Sequence, residues 1–100
     1  MIYLVIDASL SGTGIRNKYE GGYLSPEVLG LSSNTIQYLN DWLSRYENEH
    51  YNGFTDDQII DNLDREGKEI ALLIKSELPE VKLEYFSDAR MTNEIIQESD

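Results

Sequence analysis

The sequence predicts a small α+β fold, α/β in the broad sense, in which two long helices separate the strands of a short sheet. Three observations predict it. Met1–Ile6 is continuously apolar and rich in β-forming residues, as in a strand that is buried on both faces. Residues 32–78 carry apolar side chains at helical spacing, and Val81–Phe86 alternates apolar and polar residues until its last position. A chain of 100 residues has room for a single globular domain, 1–100, with one core.

Both helices have predicted ends. The first begins at Ser32 or Ser33 and ends at Asn52-Gly53, where glycine supplies a left-handed stop. The second begins with the capping box Thr55–Gln58 and ends before Pro79. Its apolar stripe contains Gly67, which costs roughly 1 kcal/mol relative to alanine, so either close packing requires it or the helix is weak there.

The segment 8–31 holds five of the seven glycines. A structureless loop of that length is uncommon in a compact domain, so part of the segment is expected to pair. The predicted pairing is a short hairpin, in which Gly21-Gly22 turns the chain between Ile15–Glu20 and Tyr23–Ser25.

The remaining connections complete the predicted topology. Pro26–Leu29 suits one helical turn ended by Gly30, and Thr92–Ile96 suits a short C-terminal helix with Thr92 as its cap. Two antiparallel helices return the chain to its starting edge, so the first strand and Val81–Phe86 are predicted to lie side by side and parallel.

The charge is strongly negative and uneven. The chain has 19 acids, 8 Lys plus Arg and a formal net charge of −11. Residues 1–40 hold three acids and two bases, whereas residues 41–100 hold sixteen acids and six bases. The electric field of this uneven charge repels anions and steers cationic partners toward one face of the protein. It therefore argues against direct nucleic-acid binding. The alternative is that the charge only keeps a small protein dispersed.

Several classes of protein are disfavoured by composition. The longest apolar run, Met1–Ile6, is far shorter than the ~18 residues of a membrane span, and it lacks the basic flank and cleavage site of a secretory signal. The absence of cysteine excludes disulfides and thiolate chemistry. A cytoplasmic location and no membrane partner are therefore expected.

The most enzyme-like feature is Asp7 followed by the loop Ser9–Gly14. Loops at the carboxyl ends of strands gather ligands, so a small phosphate- or nucleotide-binding enzyme is one alternative. However, no helical stripe follows the glycines, and neither the Walker pattern nor the dinucleotide fingerprint is present. We expect instead a glycine turn in which Asp7 accepts amide hydrogen bonds. His50 lies on an apolar stripe near a helix end, where a structural role is expected, so no catalytic residue is predicted.

A row of aspartates marks the second helix. Asp57, Asp61 and Asp64 recur at four and three residues, which predicts one acidic face opposite the apolar stripe. That face is either solvated or used to dock a partner. A further alternative for the protein is a nucleic-acid mimic that inhibits a nuclease, in which the acids would imitate a phosphate backbone, although this row of acids is short. A calcium loop needs ligands at alternating positions around a glycine, and these acids, with Asp56, are helically spaced. No metal or cofactor is predicted.

Aromatic side chains near the acids suggest an interface. Tyr38 and Trp42 lie one turn apart on the flank of the first helix, and Tyr51 lies at the turn between the helices. Tyrosine and tryptophan dominate protein interfaces. The alternative is that Trp42 packs over the edge of the core.

The stretches DASLSGTGIRNKYEGGY (Asp7–Tyr23) and LEYFSDARM (Leu83–Met91), in a cysteine-free acidic chain of this size, resemble the immunity proteins of bacterial contact-dependent growth inhibition and related polymorphic toxin systems. The resemblance implies a cytoplasmic inhibitor, without catalysis, that binds the toxin domain of its own system. Many such toxins are nucleases with basic clefts.

The expected function is therefore to neutralise a cognate toxin domain with a basic surface through acids and aromatic anchors. Charge complementarity of that kind raises association rates far above the neutral ~10⁵–10⁶ M⁻¹s⁻¹ range. The predicted toxin-binding residues are Tyr38, Trp42, Tyr46, Glu47, Glu49, Tyr51, Asp57, Asp61 and Asp64.

Overall fold

The structure, a computed structural model, describes residues 2–9 and 12–96 and contains one four-stranded sheet and two helices in that part of the chain. The elements are β1 (Tyr3–Ile6), β2 (Ile15–Asn17), α1 (Ser33–Asn52), α2 (Asp57–Glu77), β3 (Lys82–Ser87) and β4 (Thr92–Ile95). The strand order across the sheet is β2-β1-β3-β4. The predicted α+β class is thus confirmed.

The two central strands lie side by side and parallel, as predicted. The register of β1 with β3 runs from Tyr3 opposite Lys82 to Ile6 opposite Tyr85. Both outer strands are antiparallel to their neighbours, β2 to β1 and β4 to β3. The sheet is therefore mixed, and its two parallel strands end at the same edge.

The glycine-rich segment forms the predicted hairpin in a shorter form. Its first arm is the three-residue strand β2, and its second arm is reduced to one bridge between Arg16 and Tyr23. The amide of Asn17 donates to the carbonyl of Gly22 at 2.8 Å, and Gly21 adopts a φ of +79° in the turn. Glycine tolerates that left-handed conformation without steric penalty.

The predicted C-terminal helix at Thr92–Ile96 is wrong, because Thr92–Ile95 forms strand β4. A tight turn precedes it, in which the Met91 amide donates to the Ser87 carbonyl at 2.7 Å and Met91 has a φ of +56°. The turn returns the chain along the free edge of β3, where strand pairing satisfies backbone groups of both strands. Residues 97–100, into which a helix would have continued, lie outside the described residues.

Both helices begin and end close to the predicted positions. Ser32 caps α1 by accepting from the Thr35 amide, and Gly53 ends it with a φ of +79°. The cap of α2 is Asp56 rather than Thr55, since the Asp56 carboxylate accepts from the amides of Gln58 (2.9 Å) and Ile59 (3.3 Å). A carboxylate at the N-terminus also interacts favourably with the helix dipole.

The core lies between the antiparallel helix pair and one face of the sheet. Alternate strand residues such as Leu4, Ile6 and Leu83 point to that face and are almost fully buried. Helix side chains that fill the other half of the core are Leu39, Trp42, Tyr46, Leu63, Ile70, Ala71 and Ile74. Within the described residues, neither helix is long and apolar enough to cross a membrane.

Candidate functional site

Three connections meet where the parallel strands β1 and β3 end. Asp7 directly follows β1, Asp88 directly follows β3, and the last turn of α1 reaches the same edge. His50 joins the three, because its Nε2 atom lies 3.1 Å from the Ala8 carbonyl and 3.7 Å from the Asp88 carboxylate. The contact to the carbonyl requires a proton on Nε2. We call this region the carboxyl end of the sheet.

Asp7 holds the glycine-rich segment against the sheet. Its carboxylate, 1% exposed as a residue, accepts from Arg16 Nε (2.9 Å), the Tyr23 hydroxyl (2.8 Å) and the Ser9 amide (3.3 Å). The hydrogen bond to Asp7 raises the pKa of Arg16, and burial raises the pKa of Tyr23. The prediction that Asp7 accepts amide hydrogen bonds is confirmed for Ser9, and the charge of Asp7 is neutralised by Arg16.

Asp88 has a poorer set of partners. Its Oδ2 atom accepts from the Ser9 hydroxyl at 2.9 Å, whereas its buried Oδ1 atom has no hydrogen-bond partner in the described chain. Burial raises the pKa of Asp88; the Ser9 hydroxyl and His50 oppose that rise, and Asp7 adds to it. The charged form of this side chain is therefore disfavoured in the folded state.

Asp64 is the centre of a second polar network and does not lie on an exposed face. It is 8% exposed, and its carboxylate accepts from the hydroxyls of Tyr85 (2.7 Å), Ser87 (2.8 Å) and Tyr46 (3.1 Å). Arg90 Nη1 lies 3.3 Å away and supplies the opposite charge. The predicted acidic row Asp57–Asp61–Asp64 is therefore broken, because Asp64 points into the core while Asp61 stays at the surface.

The tyrosines of this network are unusually weak acids. Burial, followed by smaller effects that include Asp64, raises the pKa of Tyr46 to about 12. Burial, reinforced by the hydrogen bond to Asp64, raises the pKa of Tyr85 above its ordinary range. Gly67 allows this arrangement, since a Cβ atom at that position would overlap the ring of Tyr85. Close packing, and not a weak helix, therefore explains the glycine in α2.

Comparisons with protein-family models, with curated proteins and with solved structures give no match to this chain. A function for this protein must therefore be argued from its own residues and their geometry.

Burial removes four of the predicted toxin-binding residues from the accessible surface. Trp42 and Tyr46 are 0% exposed, and Trp42 donates its indole N–H to the Leu63 carbonyl at 2.8 Å. Glu49 is 7% exposed and accepts from the Asn52 side chain. Asp64 is the fourth. Trp42 thus packs in the core, as in the alternative interpretation of this residue.

The other five predicted residues are accessible, and four of them lie at the carboxyl end of the sheet. These four are Glu47, Tyr51, Asp57 and Asp61. Tyr38 is half-buried in the first half of α1 and donates to Glu69 at 3.1 Å, away from the other four. We call the group of four the acidic end surface.

No candidate site residue was predicted within Ser87–Arg90, so the part that this segment plays in the site was missed. Ser87 and Arg90 bind Asp64, and Asp88 binds Ser9. One signal was available: like Asp7, Asp88 stands at the end of a strand that is predicted to be parallel to the first.

The phosphate-binding alternative gains no support from the described part of the loop. The Gly12 amide donates to the Ser9 carbonyl and the Asp7 amide to the Gly14 carbonyl, so both are already bonded. Arg16, a cation beside the loop, is already paired with Asp7 at 2.9 Å. In residues 2–9 and 12–96, no group of three or more His, Asp or Glu side chains is arranged to hold a metal ion.

Proposed function

We propose that this protein is an inhibitory binding protein of the immunity type, which occupies the basic cleft of a cognate toxin domain in the cytoplasm without catalysis. The observation that carries the proposal is the acidic end surface, where the end of α1 and the start of α2 expose three carboxylates and one tyrosine. The resemblance of Asp7–Tyr23 and Leu83–Met91 to immunity proteins supports the same class.

The carboxylates of this surface are available to a partner. Glu47 and Asp57 are exposed and lie in no ion pair within the described chain. The Asp61 side chain is 65% exposed and is paired on one side only, with Arg90 at 2.8 Å. Acids held on two helix ends by a rigid core are pre-organised to meet fixed cations.

Tyr51 supplies the apolar part of the surface. It is 75% exposed and lies in the last turn of α1, between Glu47 and the start of α2. A tyrosine that becomes desolvated at the centre of an interface is a common binding hot spot. A toxin that cuts nucleic acid holds polyphosphate with a basic cleft, which is complementary to carboxylates around such an anchor.

The test is binding to the protein encoded by the adjacent gene, with paired charge reversals. Glu47→Lys with Asp57→Lys is expected to lower the association rate at least about tenfold at low ionic strength, and added salt should reduce the difference. Glu20→Lys with Glu80→Lys is the matched control, because both residues are exposed near the opposite, amino end of the sheet. Rescue of growth on co-expression is the cellular measurement.

Two outcomes would contradict the proposal. If the neighbouring gene product does not bind and is not inhibited, the immunity function is wrong. If both charge-reversal pairs change the association rate equally, the negative charge acts as a whole and the acidic end surface has no special role.

A further inference from the structure

Asn52 and Gly53, where α1 ends, form the one Asn-Gly pair of the sequence, since each of the other six asparagines is followed by a larger residue. Glycine has no side chain, so its backbone nitrogen can approach the side chain of the preceding residue closely. Both residues are exposed, so water reaches them. The pair therefore brings a nucleophile, the Gly53 nitrogen, next to an electrophile, the side-chain carbonyl carbon of Asn52.

The reaction open to this pair is an intramolecular cyclisation followed by hydrolysis. The Gly53 nitrogen loses its proton and bonds to Cγ of Asn52, and the side-chain nitrogen of Asn52 leaves as ammonia. The product is a five-membered succinimide ring. Water then opens the ring, at the Cγ carbonyl to give aspartate or at the backbone carbonyl to give isoaspartate. In sum, one water is consumed, one ammonia is released and a neutral side chain becomes a carboxylate.

The folded chain holds both reacting groups in hydrogen bonds. The Gly53 N–H donates to the His50 carbonyl at 3.3 Å, and the Asn52 side-chain amide donates to Glu49 Oε2 at 3.1 Å. The Phe54 N–H donates to the Glu49 carbonyl at 3.1 Å, which completes a Schellman motif at the end of α1. These bonds must break before the Gly53 nitrogen can reach Asn52, so the reaction requires opening of the last turn of α1.

The Phe54 ring keeps this turn closed. It is half-buried and packs edge-on against the rings of His50, at 4.7 Å between centroids, and Tyr46, at 5.9 Å. Apolar packing by the residue after the left-handed glycine is the usual companion of a Schellman motif. Opening of the turn therefore costs the burial of one aromatic ring in addition to the hydrogen bonds.

We propose that Asn52-Gly53 is a site of spontaneous deamidation, which the Schellman motif and the Phe54 ring restrain and which proceeds when the last turn of α1 opens. The modification is independent of any partner and goes beyond the proposed function. It places one further negative charge next to Tyr51, on the acidic end surface.

The product fits the fold less well than asparagine does. Glu49 is 7% exposed, and it loses a hydrogen-bond donor and gains a like charge in its place. A carboxylate at the C-terminus of a helix also opposes the helix dipole. Isoaspartate adds one atom to the backbone directly before Gly53, whose φ of +79° ends the helix. We therefore expect the end of α1 to be less stable after the modification.

The experiment follows the full chain by peptide mapping with mass spectrometry during storage, folded and in guanidinium chloride. Asn52 is expected to deamidate in both states and at least about tenfold more slowly in the folded state, whereas the other six asparagines stay unchanged in the folded chain. Phe54→Ala should raise the folded-state rate about tenfold and leave the rate in denaturant unchanged. Tyr51→Ala, which removes an exposed ring from the same turn, is the matched control and should leave both rates within about a factor of two.

Circular dichroism verifies that each variant folds. Phe54→Leu, which keeps part of the apolar contact, should give an intermediate rate and replaces Phe54→Ala if the alanine variant unfolds. Equal rates in the folded and denatured chains would overturn the proposal, and so would an unchanged rate in both Phe54 variants. Failure of Asn52 to deamidate in either state would show that no such site exists.

A stability measurement tests the expected effect on the helix end. Asn52→Asp should raise the equilibrium constant of unfolding about threefold more than Asn48→Asp, which adds the same charge at an exposed position one turn earlier in α1. Equal effects of the two variants would show that the charge alone matters and that the contact of Asn52 with Glu49 does not.

Discussion

The carboxylate of Asp64 in α2 lies 2.7 Å from the phenol oxygen of Tyr85 in β3, and it joins a helix to the sheet inside the core. Removing this carboxylate leaves three hydroxyl donors and Arg90 without their acceptor. Asp64→Ala is therefore expected to lower the free energy of unfolding by about 3 kcal/mol. Urea unfolding measures it. Asp61→Ala, at an exposed position three residues earlier, should change stability by less than about 1 kcal/mol.

A second prediction concerns Gly67. Gly67→Ala is expected to destabilise the fold by about 1–3 kcal/mol, because the added methyl group overlaps the Tyr85 ring. Helix propensity alone would give the opposite sign, by about 1 kcal/mol. In a Tyr85→Leu background the penalty should shrink, and equilibrium denaturation of the four proteins measures that coupling. A Gly67→Ala variant more stable than the parent would show that the contact is unimportant.

The third prediction is a loss of stability in alkali. Because the folded state raises the pKa of Tyr46 to about 12 and that of Tyr85 further, both phenols keep their protons above pH 10. The same phenols ionise near pH 10 when the chain is unfolded. Above pH 10 the unfolded state therefore binds fewer protons than the folded state. The contribution of these two tyrosines to the free energy of unfolding is fully present below pH 10 and decreases as the pH rises toward 12.

Tyrosine absorbance measures this alkaline effect. Tyr46 and Tyr85 should ionise only together with loss of the near-ultraviolet circular dichroism. Tyr51→Phe, at an exposed position, is the control and should not move the unfolding transition. Ionisation of Tyr46 and Tyr85 near pH 10 in a folded protein would contradict the prediction.

The fourth prediction concerns Asp88. Its pKa is raised in the folded state, so folding disfavours the ionised carboxylate. The contribution of Asp88 to the free energy of unfolding is therefore largest at low pH, and it is lost as the pH rises from the pKa in the unfolded state to the pKa in the folded state. Asp88→Asn keeps an acceptor for Ser9 and removes the charge. We expect it to raise the free energy of unfolding at pH 7 by up to about 1 kcal/mol, with a smaller gain at pH 3. Urea unfolding at both pH values measures the difference; Asp57→Asn, at an exposed helix start, is the control.

Patterns that act within one segment predicted most of the fold. The apolar run Met1–Ile6 predicted a strand buried on both faces, and Ser32 and Gly53 predicted the ends of α1, because caps and strand burial depend on nearby residues. The helix prediction at Thr92 failed because a capping residue is a local signal. Whether Thr92–Ile95 forms a strand depends instead on pairing with the free edge of β3, which the local sequence does not show.

The site was harder to predict, since it depends on where segments meet. Asp64 follows Ile60 by four residues and precedes Gly67 by three, which is the spacing of the buried stripe itself. That spacing is compatible with a place in the core, but an aspartate is rarely buried without partners, so the sequence favours an exposed position. Those partners, Tyr85 and Arg90, come from a strand and a turn more than twenty residues further along, and no local pattern links them to it.

The parallel register that pairs Tyr3 with Lys82 has a consequence for biosynthesis. On the ribosome, β1 emerges long before its neighbour β3, and the helix hairpin forms in between from local contacts. The first strand must wait with its apolar side chains unprotected until the last part of the chain arrives. A nascent chain interrupted before residue 82 would hold two helices and no means of assembling Asp7, His50 and Asp88, so the carboxyl end of the sheet would form only after β3 has been synthesised.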